Sequence, residues 1–288
     1  MKKQSNRLKR NAMTGYLFIS LWIVGFLLFS VYPIVYSLYL SFQEVVIGAE
    51  SISTTAVGFE NYSSLFTLNM EFMRNLMDYF KKMLVSVPLV VILALILAKL
   101  LNTKTKGQTL FRTIFFMPVI IISGPIMEIF TKNLVFETLI DFESLTLLNS
   151  IERSSFSMLS DVVVFLVQNI SDILWYTGVP IVIFITGFQR ISPEVYEAAS
   201  IDGANAWQCF WKITLPTMVG FIIINAIFTV VQISTMDSMP IVSSISSSMF
   251  NLNLGFGYAA AMAWVYFLAM LLVIIAFIGL ISIFKKGE

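Results

Sequence analysis

Six stretches of the chain, roughly residues 14–40, 79–101, 109–131, 160–188, 217–237 and 258–284, are apolar over lengths that suit a membrane-crossing helix. Such a helix takes about 20 residues to span ~30 Å of hydrocarbon, where every backbone polar group must find its partner inside the protein. The composition points to the same solvent, with 58% hydrophobic residues and only 12% charged, where soluble domains carry roughly a quarter charged residues. A water-soluble fold of 288 residues could not hide so much apolar side chain, because a large share of any globular surface faces water. None of the stretches shows the period-two alternation of a barrel strand. The fold class is therefore all-α, a polytopic transmembrane helical bundle of six spans forming a single domain over residues 1–288.

Several chemistries are excluded at once. A net charge of +1 gives no field that would draw a nucleic acid. Cys209 is the single cysteine, so neither an intrachain disulfide nor a thiolate metal cluster can form, and the absence of histidine removes His-based zinc sites and His general bases. No metal site and no catalytic residue is expected. Lys2, Lys3, Arg7, Lys9 and Arg10 precede an apolar run from Tyr16 to Phe42. That run is longer than the ~7–15-residue apolar core of a secretory leader and no small-residue cleavage site closes it, so it is expected to stay as the first span.

Lys and Arg near the span ends set the orientation. The N-terminal tail, the short connection with Lys99, Lys104, Lys106 and Arg112, and the closing Lys285 and Lys286 all fall on one face by parity. The positive-inside rule makes that face cytoplasmic, with both termini on the cytoplasmic side. Arg74, Lys81 and Lys82 dissent at the outer end of the second span. Either they snorkel, or residues 70–82 form an interfacial helix ahead of a span that starts near Met83. Residues 43–72, with Gly48, Gly58 and many Ser and Thr, read as irregular exposed backbone.

The segment FQRISPEVYEAASIDGANAWQCFWKITLP, residues 188–216, carries the most information. Ser192 and Pro193 suit the N-cap and first position of a helix, and Glu194 then sits in its first turn, where negative charge is favoured. A helix is expected over about 193–208, with Ala198, Ala199 and Gly203 giving it a small-residue docking face. Trp207, Phe210, Trp211 and Ile213 are expected to rest on the bundle, and Pro216 to interrupt the chain before the fifth span.

This segment resembles the signature of binding-protein-dependent ABC importer permeases: Glu-Ala-Ala, three residues, Gly, nine residues, Ile, one residue, Leu-Pro. Glu197, Ala198, Ala199, Gly203, Ile213, Leu215 and Pro216 match its fixed positions, while Tyr196, Ile201, Asp202, Ala204, Trp207 and Thr214 resemble the sugar branch that contains the maltose and glycerol-phosphate importers. YPIVYSLYLSF at 32–42, GFENY at 58–62, SVPL at 86–89 and FRTIFFMPVI at 111–120 extend the resemblance along the chain. It implies the type I importer permease fold and a cytoplasmic coupling helix that fits a groove on an ATPase dimer. It also implies a second homologous permease and an extracytoplasmic solute-binding protein, all set in membrane lipid, here that of a bacterial or archaeal cytoplasmic membrane. The chain has no Gly-rich loop ending in Gly-Lys-Ser/Thr, so it should bind no cofactor and leave Mg-ATP to the separate ATPase subunit. SMPIVSSISSS, residues 238–248, stands where the family commonly has Gly-Gly-Gly-Pro.

Polar groups inside a membrane are costly and usually face a path or a partner. Gln168, Asn169 and Asp172 in the fourth span, with Trp175 and Tyr176 one turn on, offer amides, a carboxylate and ring faces suited to a sugar. Gln232 and Asp237 in the fifth span and Tyr258 and Trp264 in the sixth complete the candidate path. The same residues equally suit ion pairing, seam filling and interfacial anchoring. An ion-coupled secondary transporter with Asp172 as relay is the rival reading, and it leaves the 197–216 signature without a task.

Overall fold

The computed structural model describes residue 16 and residues 19–47, 52–102, 157–236, 239–251 and 254–286, with the side chains of 46, 47, 52, 157–172 and 284–286 outside that description. Helix α1, Ile19–Leu40, is followed by strands β1, Gln43–Ile47, and β2, Ile52–Ala56, and by α2, Glu60–Thr67. Next come α3, Met70–Asn102, then α4, Ser157–Phe188, and α5, Pro193–Ile201. The chain closes with α6, Ala206–Ser234, α7, Pro240–Met249, and α8, Gly255–Lys286. Among these residues four helices are long and apolar enough to cross a membrane, or five if Ile173–Phe188 and the bent Pro193–Ile201 count as one. The expected third span, 109–131, lies outside the described residues.

Two compact units divide the chain, one containing the described residues of Met1–Tyr79 and Asp237–Ala269, the other those of Phe80–Met236 and Met270–Glu288. The division falls inside the continuous helices α3 and α8. The 33 residues of α3 amount to about 50 Å of helix, so it outruns the hydrocarbon at one end. Arg74, Lys81 and Lys82 ride on this unbroken helix rather than on a separate interfacial one.

In α1 and α6 a π turn precedes a proline within the helix. In α1 the turn Leu27–Val31 precedes Pro33, with the Tyr32 N–H bonded to the Leu27 carbonyl. In α6 the turn Phe210–Thr214 precedes Pro216, with the Leu215 N–H bonded to the Phe210 carbonyl. A proline lacks an N–H and its ring crowds the carbonyl four residues back, and the wider i→i−5 turn relieves that crowding without ending the helix. Pro216 therefore does not interrupt the chain before the fifth span. The helix starts at Ala206 and runs through it.

In the first unit, the described residues of 43–72 form two strands and a helix where their Gly, Ser and Thr read as an irregular loop. Antiparallel β1 and β2 pair Gln43 with Ala56 and Val45 with Thr54, helped by Val45, Thr54 and Thr55, whose branched side chains suit a pleated surface. The Asn61 amide donates to the carbonyls of Ser41 and Gln43 at 2.9 and 3.0 Å, tying α2 back to β1. Phe42, Phe59 and Tyr62 cluster with centroids 5.3–6.0 Å apart. Strand β1 lies directly against the start of α8, where a Cβ on Gly257 would collide with the Gln43 carbonyl and one on Gly255, at φ +69°, with that of Val45. In the second unit α4 and α6 pack with equal intimacy, since a Cβ on Gly187 would meet the side chains of Met218 and Phe221 at 2.8 and 2.9 Å.

Gly257→Ala is expected to cost about 1–3 kcal/mol through that backbone collision, read as a lower melting temperature of the purified protein and faster proteolysis within 43–56. Gly279→Ala, whose methyl meets nothing within 4 Å, is expected to lower neither.

Candidate functional site

Two sets of residues in the second unit carry the features that function demands. The first is the elbow after α4. Ser192 is the N-cap with extended backbone, Pro193 opens α5 and Glu194 sits in the first turn, as the sequence predicts. The Ser192 hydroxyl, then the helix backbone, hold the exposed Glu194 carboxyl below the usual carboxylate range. The contribution of this pair to α5 is therefore present at neutral pH and disappears as pH falls through that lowered value.

Helix α5 turns 63° from α4 and stops at Ile201, not at 208. Gly203, at φ +79°, ends it in the left-handed conformation that a side chain resists. The Gly203 N–H bonds the Ser200 carbonyl and the Ala204 N–H that of Ala199, the paired bonds of a Schellman motif. Asn205 and Gln208 then form a reciprocal capping box that starts α6. Gly203 is thus a helix terminator with open space around it, and not a fourth-residue neighbour of Ala199 on one helix face.

The elbow leaves apolar side chains uncovered. Ile201 is 88% exposed, and Val195, Glu197 and Ala198 are exposed beside it. Trp207, 68% exposed, and Trp211 stack edge to face at 5.4 Å and stay exposed, where the sequence reading placed them against the bundle. Ala199, Ile213, Leu215 and Pro216 are half-buried. A cleft of about 420 Å³ between α5 and α6 is lined by Asp202, Gly203, Gln208, Lys212 and Ile213, among others. On the inner side, the Tyr196 hydroxyl lies 2.8 Å from Thr214 Oγ1, and Lys99 Nζ lies 5.4 and 5.8 Å from the rings of Phe188 and Tyr196. Sequence reasoning used Lys99 of α3 for orientation alone, and its two ring partners come from two other helices, α4 and α5.

The second set is a polar stripe in the apolar part of α6. Asn225 and Thr229 are 0% exposed, and neither the Asn225 amide nor the Thr229 hydroxyl has a hydrogen-bond partner among the described residues. Gln232 Oε1 is equally sealed and unpaired, and i, i+4, i+7 spacing puts all three on one face. Trp175 Nε1 on α4 is in the same condition. Twelve residues back from Gly187 along α4 is Trp175, and twelve on from Met218 to Phe221 along α6 are residues 230–233, so the antiparallel register brings the indole level with Gln232. Buried polar groups are normally paired, and a cluster that is not marks a place for a ligand or water.

The other sequence candidates fall differently. Tyr258 accepts a 3.1 Å hydrogen bond from the Asn69 amide, whose oxygen caps α3 through the Phe72 N–H. Trp264 Nε1 donates to Ser37 Oγ at 3.3 Å. Both have structural partners in the first unit. Tyr176 is buried on α4, while the side chains of Gln168, Asn169 and Asp172 and the whole of Asp237 lie outside the described residues. Asn225 and Thr229 escaped the sequence reading because single polar residues in an apolar run look like packing, although their i, i+4 spacing toward Gln232 was visible.

Long apolar helices define a multi-pass membrane protein, and an elbow helix with an uncovered apolar face and a polar stripe without partners among the described residues suit a transport subunit. Residues 170–287 match the family described as the inner membrane component of binding-protein-dependent transport systems. The probable ABC transporter permease protein YesP of Bacillus subtilis is 31% identical, over 99% of this chain and 94% of that protein. The arabinooligosaccharides transport system permease protein AraP of Halalkalibacterium halodurans is 28% identical, over 95% and 89%. A chain of a bacterial alginate ABC transporter, solved in complex with an alginate pentasaccharide-bound periplasmic protein, shares the fold at a TM-score of 0.63 with 18% identity, covering 94% of each chain. This chain belongs to the binding-protein-dependent ABC transporter permease family, and is a transport component rather than an enzyme.

If the stripe faces a solute, Asn225→Leu removes two unpaired polar atoms and is expected to raise stability by about 1–3 kcal/mol while lowering uptake severely. Tyr258→Phe, which breaks a made bond, is expected to cost about 1 kcal/mol and leave uptake near normal. Melting temperature and uptake measured on the same preparations check both.

Proposed function

We propose that this chain is one of two homologous permease subunits of an ATP-driven importer that carries an oligosaccharide or related polyhydroxylated solute into the cytoplasm. The observation that carries this reading is α5, a short helix set 63° from the preceding span with Val195 and Ile201 uncovered, in a chain of this family. Force can be exchanged with another protein through such an element if that protein holds it differently in two states. The proposed coupling residues are Glu197, Ala198 and Ala199 on α5, Gly203 at its end, and Ile213, Leu215 and Pro216 at the root of α6. The partner there is a cytoplasmic ATPase dimer that uses Mg-ATP. This chain binds no cofactor and no metal in that scheme.

The solute class follows from the names of relatives, which include arabinooligosaccharides and alginate systems, and from the chemistry of the stripe. Asn225, Thr229 and Gln232 supply amide and hydroxyl groups that exchange hydrogen bonds with sugar hydroxyls, and Trp175 supplies a ring face and an N–H donor. Gln168, Asn169, Asp172, Tyr176 and Asp237 remain candidates on the same path, while the intramolecular bonds of Tyr258 and Trp264 favour a structural role. A solute-binding protein delivers the sugar from outside. The Lys and Arg distribution supports a cytoplasmic membrane location with both termini inside, and residues 1–288 acting as one permease domain. An ion-coupled transporter has no use for α5, and no observation favours it.

Gly203→Val tests the coupling site. A side chain at φ +79° costs roughly 1–2 kcal/mol and reshapes the end of α5, although the added atoms meet nothing within this chain. The ATPase subunit is expected to co-purify about tenfold less well, with membrane insertion unchanged. Full retention of the ATPase together with ATP-driven uptake would remove α5 from the mechanism.

A further inference from the structure

We propose that Lys99, Tyr196 and Thr214 form the linkage that passes movement of α5 to α3 and α6. The proposal rests on the reading of α5 as the ATPase-coupling helix and names the side chains that give that helix its output.

Tyr196 is half-buried in the second turn of α5 and reaches two other helices with two ends of one side chain. Its hydroxyl lies 2.8 Å from Thr214 Oγ1, and Thr214 itself donates to the Cys209 carbonyl at 3.2 Å. A hydroxyl has one proton to give, so Tyr196 is the donor to Thr214. Thr214 is 1% exposed and is the last residue of the π turn Phe210–Thr214, two residues ahead of Pro216. The phenol thus grips α6 at its one wide turn among the described residues, where the regular i→i−4 ladder is already interrupted. A π turn interrupts a helix where function most often requires it.

The ring of the same residue lies 5.8 Å from Lys99 Nζ, and the ammonium also lies 5.4 Å from the ring of Phe188. Lys99 stands in the last turn of α3, and Phe188 is the last residue of α4. A cation held between two rings attracts both, so the end of α3, the end of α4 and the flank of α5 share one charge. Displacing α5 must either carry these helix ends with it or break the contacts. A phenylalanine at 196 would fill the same volume and keep the ring on Lys99. What it lacks is the directional bond to the π turn, and that difference makes the linkage testable apart from packing.

The test uses the assembled transporter, purified through a tag on this chain and placed in proteoliposomes, with MgATP and vanadate as the probe. A cysteine at Thr235, exposed at the far end of α6, is introduced with Cys209→Ser, and its labelling by a maleimide reports movement of that helix. The parent protein is expected to change its labelling rate when MgATP and vanadate are added. Tyr196→Phe is expected to reduce that change by about fivefold, the factor carried by one hydrogen bond of ordinary strength, with ATP hydrolysis retained. Lys99→Met is expected to act in the same direction. Thr214→Val is expected to match Tyr196→Phe, and Thr214→Ser, which restores the hydroxyl, to recover the parent response. A full response in both Tyr196→Phe and Lys99→Met overturns the linkage while leaving the coupling role of α5 intact. Loss of the ATPase subunit from the Tyr196→Phe complex also overturns it, because Tyr196 would then belong to the docking surface. No response in the parent overturns the coupling reading and the linkage with it.

Discussion

Hydrocarbon offers no hydrogen bonds, and that deficit governs the structure. Each span must satisfy its own backbone, so the apolar stretches become helices, and anything that disturbs the i→i−4 ladder has to be absorbed locally. Pro33 and Pro216 show how this happens: a π turn opens ahead of each, and the helix continues. The same requirement bears on Asn225, Thr229, Gln232 and Trp175, whose buried polar atoms have no partner among the described residues. A membrane interior penalises such groups more than water would, and the proposed solute path gives them an occupant.

Outside the hydrocarbon the backbone is free to turn, and there the chain departs from a simple bundle. The elbow at Ser192 and the Schellman ending at Gly203 release a helix of nine residues from the direction of α4 and restart the chain as α6. One helix over 193–208 would have carried any push straight along its axis. Two elements meeting at a glycine turn, with Tyr196 fastened to the π turn that opens α6, give a push on α5 a defined place to arrive. The cost is an exposed apolar surface at Ile201 and Trp207. In the proposed importer that surface is where the ATPase would dock.

Much of this was legible in the residues. Hydropathy marked the spans to within a few residues for α4 and α8, because a lipid-facing helix has few ways to be anything else. Ser192, Pro193 and Glu194 announced the start of α5 through local chemistry alone. What stayed hidden depends on partners distant in sequence or on backbone states that composition does not encode. The β1–β2 hairpin was masked by its own Ser, Thr and Gly, and its position is fixed by Gly255 and Gly257, some two hundred residues away. Gly203 read as a small residue on a helix face, when its φ made it the end of that helix. The joint service of Lys99 to Phe188 and Tyr196 needed three helices to meet, which no spacing rule foresees.

The central claim is that another protein grips residues 193–203 and that nucleotide changes the grip. Hydrogen–deuterium exchange over that segment, compared for the isolated chain, the assembled transporter, and the assembled transporter with MgATP and vanadate, addresses it directly. The account predicts slower exchange on assembly and a further change on adding nucleotide, centred on Glu197 to Gly203. Exchange that is the same in all three states would contradict it.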